Sequence, residues 1–332
     1  MKVTVIIPNY NGEKFLDKCL NSLLCQTEKD YQLLIVDNGS TDESIQIIRN
    51  NFRMFEEKKF KKENLILMRL THNQGFCAAV NKGIKRANTK YIILLNNDTE
   101  VAVNFIEESV RAIEGSDKIF SVSPKMIKYY QRDKLDNCGD YYTAMGWAFP
   151  RGLGQSVNKY SKSRQIFSSC GGAAIYRKAV LEEIGLFDER HFAYLEDVDI
   201  GYRARIHGYK NVYNPNAVVY HVGSGFSGSR YNEFKVRLSA RNSIYLIYKN
   251  MPIVQLIINL LPIILGIFVK YLFFIRKGLG TTYLKGVLEG IRSFSRCNKV
   301  EFRGNNIKNY IMIEYDLIIN TFIYIKDICF RN

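Results

Sequence analysis

Glu196, Asp197 and Asp199 fall within four positions of the stretch Phe192-Ala193-Tyr194-Leu195-Glu196-Asp197-Val198-Asp199. Like charges this close raise one another's pKa and resist burial, so the stretch is either a solvated acidic turn ahead of a helix or a general base poised to take a proton. These eight residues alone leave both readings open. The other chemistry-bearing types narrow the field less by presence than by spacing. The seven cysteines, at positions 19, 25, 77, 138, 170, 297 and 329, form no CxxC pair and no regular framework. Neither a structural zinc site nor a disulfide scaffold is indicated, and a reducing compartment follows.

Carboxylates can act as a base only if the chain builds a cleft around them. Val3 to Ile7 is a β-branched run closed by Pro8-Asn9-Tyr10-Asn11-Gly12, and Phe15 to Leu24 repeats apolar residues at helical spacing. A second buried strand, Tyr31 to Val36, ends in Asp37-Asn38-Gly39-Ser40-Thr41-Asp42, where Ser40 or Thr41 is expected to cap the next helix. Strand Leu65 to Leu70, turn Thr71 to Gly75, a helix through about Ala87 and strand Tyr91 to Leu95 continue the alternation. Strands alternating with helices predict an α/β fold, a doubly wound and mainly parallel sheet flanked by helices. In such sheets ligands lie beyond the C-terminal strand ends, where Asn9, Asp37, Asn73 and Asp98 all project.

Further strands are expected over Ile119 to Ser123, after the Gly171-Gly172 turn through Arg177, and over Ala217 to Tyr220. Tyr141 to Gly154 reads as loop or hairpin, and helices are predicted over Lys178 to Ile184 and Ile200 to His207. Asp199 then falls where a helix cap belongs, and Arg203 lies one turn beyond it, placed to pair with it. The N-terminus reads as a first strand rather than a signal peptide.

With 332 residues and 47% apolar composition the chain has ample material for a core, and its net charge is +15. Residues 251–332 carry eleven Lys/Arg against five Asp/Glu, interleaved with apolar runs. No nucleic-acid module is present, so an anionic membrane surface is the better partner for this tail. Residues 250–269 lack any charge, but Pro252, Gln255, Asn259, Pro262 and Gly266 interrupt them, and Lys270, Arg276 and Lys277 follow. A helix lying in the interface, with peripheral contact through 250–277, fits better than a span. A helix buried in the core or forming a homo-oligomer is the other reading. Residues 310–330 carry apolar residues along their whole length, with no evident chemistry.

Val5-Ile6-Ile7-Pro8-Asn9-Tyr10-Asn11-Gly12, Val36 to Asp42, Asn73-Gln74-Gly75-Phe76 with Asn81, Leu94-Leu95-Asn96-Asn97-Asp98 and Glu196-Asp197 occur in an order that resembles family 2 glycosyltransferases of the GT-A fold, nearest their rhamnosyltransferase-like branch. The resemblance covers residues 1–245. It implies a nucleotide-binding half over 1–125, an acceptor and catalytic half over 126–245, and a separate helical extension over 246–332. It also implies a nucleoside-diphosphate sugar donor, UDP- or dTDP-linked, and a glycan or lipid-linked acceptor at the inner, cytoplasmic face of the cell membrane. Pro8, Asn9, Tyr10 and Asn11 would line the nucleotide pocket and Asp37 would bond the imide of the base. Asn73, Gly75 and Asn81 would follow the ribose and diphosphate, joined by Asn97, Asp98 and Gly172.

By the same resemblance Asn96-Asn97-Asp98 occupies the place of a DxD motif that holds Mg²⁺ or Mn²⁺. The first acid is Asn here, which removes one negative charge from the site. His221 matches a second metal ligand, Asp197 the general base of an inverting single displacement, and Glu196 a neighbour that orients the acceptor or the base. Gly223-Ser224-Gly225-Phe226-Ser227-Gly228 is a formal GxGxxG, but Arg241 to Asn250 supplies no acidic residue at the distance a dinucleotide fold needs. A loop closing over the donor suits it better. The only Trp is Trp147, so the QxxRW motif of processive synthases is absent, and the first turn lacks the Gly-rich basic loop of nucleotidyltransferases. A sugar-nucleotide-binding protein without catalysis, or a structural partner in a membrane glycan-assembly complex, is the alternative that the Glu196-Asp197 pair argues against.

Overall fold

The computed structural model describes residues 1–223 and 231–329. The GxGxxG segment therefore lies almost entirely outside the described residues. In order the chain forms β1 (Val3–Asn9), α1 (Glu13–Leu24), β2 (Tyr31–Asp37), α2 (Ser44–Glu57), β3 (Leu65–Arg69), α3 (Phe76–Arg86), β4 (Tyr91–Leu95), β5 (Thr99–Val101) and α4 (Phe105–Glu114). There follow β6 (Ile119–Lys128), β7 (Gln131–Asn137), β8 (Asp140–Tyr142), β9 (Ala148–Pro150), β10 (Arg164–Ile166), β11 (Ala173–Arg177), α5 (Lys178–Ile184), α6 (Glu196–Ile206) and β12 (Lys210–His221). The last quarter is helical: α7 (Glu233–Asn250), α8 (Ile253–Ile275), α9 (Gly280–Ser293) and α10 (Ile307–Cys329).

One ten-stranded sheet carries the molecule, in the order β10-β12-β6-β11-β4-β1-β2-β3, with β5 on β12 and β7 on β6. The first four strands are parallel, as the alternation predicts. β11 runs antiparallel between β4 and β6, so the sheet is mixed rather than doubly wound throughout. Parallel strands buried on both faces need continuous apolar runs, and β1, β2 and β4 supply them. One core lies between the sheet and α1, α2 and α4, and a second under α3, α5 and α6. β12 is longer than the expected strand at Ala217 to Tyr220. It absorbs Pro215, which has no N–H to donate, through a register irregularity between Asn214 and Val218.

Two expectations about caps fail for the same physical reason: the side chains are engaged elsewhere. α2 begins after Glu43, and neither Ser40 nor Thr41 caps it. The Ser40 hydroxyl instead donates to Asp37 Oδ1 at 2.6 Å. α6 begins at Glu196, a turn earlier than predicted, because Leu195 takes a left-handed conformation (φ 65°) that admits the helix at once. Asp199 therefore lies inside the first turn and caps nothing. It is fully buried, accepting from Arg203 Nε (3.0 Å), Lys249 Nζ (3.0 Å) and Asn250 Nδ2 (2.9 Å).

A third core joins α6 to the β8–β9 hairpin and to α8 and α10, through Tyr142, Phe167, Tyr202, Ile263, Ile313 and Leu317. Polar groups stitch the same seam: the Glu314 carboxylate accepts from Gln255 and Asn259, and Arg205 pairs with Asp316. The polar residues that interrupt the apolar run of α8 thus form its inward stripe, Gln255, Asn259, Ile263 and Gly266.

Candidate active site

A cleft of about 680 Å³ opens at the C-terminal ends of β1 and β4. Its lining includes Pro8, Asn9, Tyr10, Asn73, Asn97, Asp98, Gly172, Glu196, Asp197 and His221, ten of the residues singled out from the sequence. Asn11, Asp37, Gly75 and Asn81 are not on its wall.

Asp37 stands one layer behind. Its Oδ1 accepts from Asn9 Nδ2 at 2.9 Å, and Asn9 Oδ1 in turn accepts from Asn97 Nδ2 at 2.7 Å. This relay ties the end of β1 to the turn after β4. Gly12 is required beside it, because a Cβ there would sit 2.2 Å from both the Asn9 oxygen and the Asn97 nitrogen. Asn11 (φ 48°) accepts from the Thr41 amide and so holds the neighbouring turn. Asn38, which the sequence reading passed over, lines the cleft and orients the next turn by donating to Asn73 Oδ1 (3.0 Å) and Gly75 O (3.1 Å). Gly75 has φ 90°, and a Cβ on it would meet the Phe192 ring at 2.6 Å. Asn81 is occupied in holding structure: it donates to Phe187 O and Glu189 Oε1 and accepts from the Phe187 amide. It pins the segment leading into the acidic loop to α3.

On the cleft wall His221 Nε2 lies 3.5 Å from Asp98 Oδ1, while His221 Nδ1 meets Asp136 Oδ2 at 2.7 Å. A carboxylate on the far ring nitrogen fixes the tautomer of a metal-binding histidine. Oxygen and imidazole ligands about 3 Å apart suit a divalent cation with bonds of about 2.1 Å. The donor set therefore fits Mg²⁺ or Mn²⁺, with Asp136 as the supporting group. Lys235 also lines this region and is drawn electrostatically to Asp98.

On the same cleft wall Asp197 is held by two backbone donors, Gly171 N–H to Oδ2 (2.9 Å) and Val198 N–H to Oδ1 (2.8 Å). Burial raises its pKa above the ordinary range against these bonds, which leaves a stronger base than a solvated aspartate. Glu196 is 7% exposed and its Oε2 has no partner among the described residues. Burial first, and then the charge of Asp197, push its pKa up to about 8. Asp199 behaves in the opposite way. Burial opposes its charge, yet Lys249 and Arg203 hold it well below the carboxylate range. The three acids of one short stretch thus separate into a carboxylate of raised proton affinity, a neighbour raised further still, and a structural anion.

The loop that delivers them is conformationally costly. Phe192, Tyr194 and Leu195 all have positive φ, which side-chain-bearing residues adopt only when held there. Asn242 of α7 holds them, its Nδ2 lying 3.0, 2.8 and 2.8 Å from the carbonyls of His191, Ala193 and Tyr194. No sequence pattern marks Asn242, because its role depends on a contact across about fifty residues. Its replacement by Ala is expected to lower turnover at least about tenfold, while nucleotide binding, expected at the Pro8 to Asn11 turn rather than at this loop, persists. Steady-state kinetics alongside nucleotide titration measures the split.

His191 is fully buried and neither ring nitrogen has a partner among the described residues. Burial lowers its pKa from 6.5 to about 4. The unfolded chain therefore binds a proton that the folded one refuses as pH falls from about 6.5 to 4. Stability is unaffected above that window and declines within it, by about 3 kcal/mol in full at 1.36 kcal/mol per unit. Urea unfolding of the wild type and His191→Leu at pH 7, 5.5 and 4 should show the wild type losing more on acidification.

The profile of glycosyl transferase family 2 matches residues 4–185, more than half of the chain. The glycosyltransferase GlyA of Streptococcus pneumoniae is 32% identical over 112 residues, which cover 34% of this chain and 15% of that protein. The N-acetylglucosaminyl-diphospho-decaprenol L-rhamnosyltransferase of Mycobacterium tuberculosis is 24% identical over 239 residues, covering 65% of this chain and 75% of its own. The crystal structure of GalNAc-T7 with UDP, GalNAc and Mn²⁺ superposes with a TM-score of 0.60 at 18% identity, over 75% of this chain and 48% of that one. This last likeness establishes the shared α/β fold. The chain spans only a small part of the first relative, and the family match rests on residues 4–185, from β1 through α5. By that match the chain belongs to glycosyl transferase family 2.

Proposed function

We propose that this chain is an inverting, non-processive glycosyltransferase that moves a sugar from a UDP- or dTDP-linked donor to a hydroxyl of a glycan or lipid-linked acceptor. One observation carries the reading: Asp98, His221 and the backbone-anchored Asp197 line a single cleft. Transfer needs a place for the departing diphosphate and a base for the incoming hydroxyl, and this lining supplies both.

The Pro8 to Asn11 turn and Asn73 frame the nucleoside. Asp37, behind the wall, fixes Asn9 and Ser40 and through them the polar edge that the imide of uracil or thymine would meet. Asp98 and His221 are the residues that hold Mg²⁺ or Mn²⁺, and the bound cation supplies positive charge to the leaving diphosphate. Lys235 adds a protein cation near Asp98. The Gly171-Gly172 turn keeps side chains away from the sugar's position and presents the amide that fixes Asp197. Asp197 takes the acceptor proton on a carboxylate oxygen as that hydroxyl attacks the anomeric carbon opposite the leaving group, which inverts the configuration.

Glu196, protonated at neutral pH, offers an O–H to the acceptor side. Glu196→Gln is a permanently neutral stand-in, so it should stay active and lose the activity change that the wild type shows near pH 8. A pH profile of kcat/KM in which the variant keeps that change would remove Glu196 from this role. Asp98→Ala tests the metal site. Donor-induced thermal stabilisation should depend on Mn²⁺ in the wild type, and the variant should need at least about tenfold more donor. An unchanged Mn²⁺ titration in the variant would sink the assignment.

The relative named for a decaprenol-linked substrate supports a lipid-linked acceptor, and the helical tail supports a membrane site. α8 exposes Ile257, Leu261, Ile264, Phe268 and Leu272. Three of the tail's five acids are paired with other elements, Glu289 with Arg237 and Arg241, Glu314 with Gln255 and Asn259, and Asp316 with Arg205. That leaves an apolar surface flanked by bases, suited to an anionic leaflet at the inner face of the membrane. Residues 1–245 then form the transferase unit and 246–332 its membrane-contacting extension.

A further inference from the structure

The cleft and the exposed helical surface are joined by aromatic side chains. Phe273 at the end of α8 is 40% exposed, and the Tyr231 ring lies 5.7 Å from it and 5.8 Å from Phe274. Tyr231 is itself 37% exposed. Three residues on, at most about 10 Å along the chain, Phe234 is 47% exposed and lines the cleft. The Phe234 ring then meets Phe192 at 6.1 Å and Tyr194 at 6.4 Å, and the next two residues after Tyr194 on the cleft wall are Glu196 and Asp197. Exposed aromatic rings at this density on a soluble surface are unusual unless they meet an apolar partner. These rings form a line with an apolar helix face at one end and the carboxylates at the other.

We propose that this line, Phe273-Tyr231-Phe234 with Phe192 and Tyr194, is an acceptor subsite that receives the apolar chain of an amphiphilic acceptor and aims its hydroxyl at Asp197. The inference rests on the transferase reading and deepens it by naming the acceptor class. The polarity gradient selects the ligand. A free oligosaccharide has nothing to place against Phe273 and Tyr231. A glycan on a long alkyl or prenyl chain matches both ends, with its sugar at the carboxylates and its chain running toward the bilayer beside α8. Arg276 and Lys277, exposed just past the end of α8, stand where a phosphate joining chain and sugar, or the headgroups around it, would need countercharge.

The test uses a dodecyl phosphate carrying a terminal diazirine as the probe, with the full chain and peptide mapping after irradiation. Label is expected on the peptides holding residues 231–235 and 273–274. Tyr231→Ser with Phe273→Ser should reduce it at least fivefold while label on the outer face of α10 is unchanged. Label confined to the outer faces of α8 and α10, or label at 231–235 that the double substitution leaves intact, would overturn the subsite. Donor-induced thermal stabilisation of the same samples separates the two levels. If UDP- and dTDP-sugars stabilise both proteins and the label is misplaced, only the subsite fails. If no nucleotide sugar stabilises the wild type, the transferase reading fails and the subsite falls with it.

Discussion

Replacing Asp197 with Asn is expected to lower kcat by about 10²–10⁴-fold, the range a positioned general base contributes, and to leave donor binding near the wild-type value. The amide has the shape of the carboxylate but a single acceptor oxygen, so it keeps one of the two backbone bonds, from Gly171 or from Val198, and turns an NH2 toward the other donor, a local cost that donor-induced stabilisation separates from loss of chemistry. What it lacks is affinity for a proton. Asp197 gains that affinity from burial, and its two backbone bonds moderate the gain while fixing where the oxygens stand. A base that was merely a solvated acidic turn would have neither the raised pKa nor the fixed position. Asp197→Asn with near-normal turnover, measured alongside donor-induced stabilisation, would remove Asp197 from the chemistry.

The largest expected effect on stability is at Asp199. Its carboxylate is fully buried and satisfies Arg203, Lys249 and Asn250 at once, and Arg203 also donates to the carbonyls of Ile184, Gly185 and Leu186. Asp199→Ala leaves two buried cations facing a cavity, and removing one partner of a buried pair costs about 3–5 kcal/mol. The sign with pH is fixed by the lowered pKa. The stabilisation is complete above the unfolded value of 3.8 and is lost only as pH falls toward the folded one. Urea unfolding at pH 7 should show the deficit, whereas a loss within about 0.5 kcal/mol would mark the cluster as dispensable.

Much of this was legible in the sequence, because the first half of the fold is local. Continuous β-branched runs, helical periodicity and polar turns fix β1 to β4, and those turns place Pro8, Asn9, Asn73 and Asp98 at one edge. The same logic misread what lay beyond local range. Asp199 has the spacing of a cap, but Lys249 and Asn250, fifty residues on, draw it into the core. Asn81 has the position of a ligand residue, yet its amide matches the backbone of Phe187. Asp136, Asn242 and Phe234 carry no periodic or motif signal, since each acquires its role only when β7 and α7 fold against the cleft. The apolar tail was ambiguous for a related reason. Gln255 and Asn259 weaken α8 as a span when read in sequence, whereas in three dimensions they are its inward stripe, bonded to Glu314.

The account's central claim is single-displacement transfer from a nucleotide sugar in this cleft. Proton NMR of the wild type with Mn²⁺ and a panel of UDP- and dTDP-sugars, following slow transfer to water, tests it most directly. The account predicts that the first sugar released from the accepted donor has the anomeric configuration opposite to that of the donor, and that Asp197→Asn releases none. Release with retained configuration, or equal release by Asp197→Asn, would contradict it.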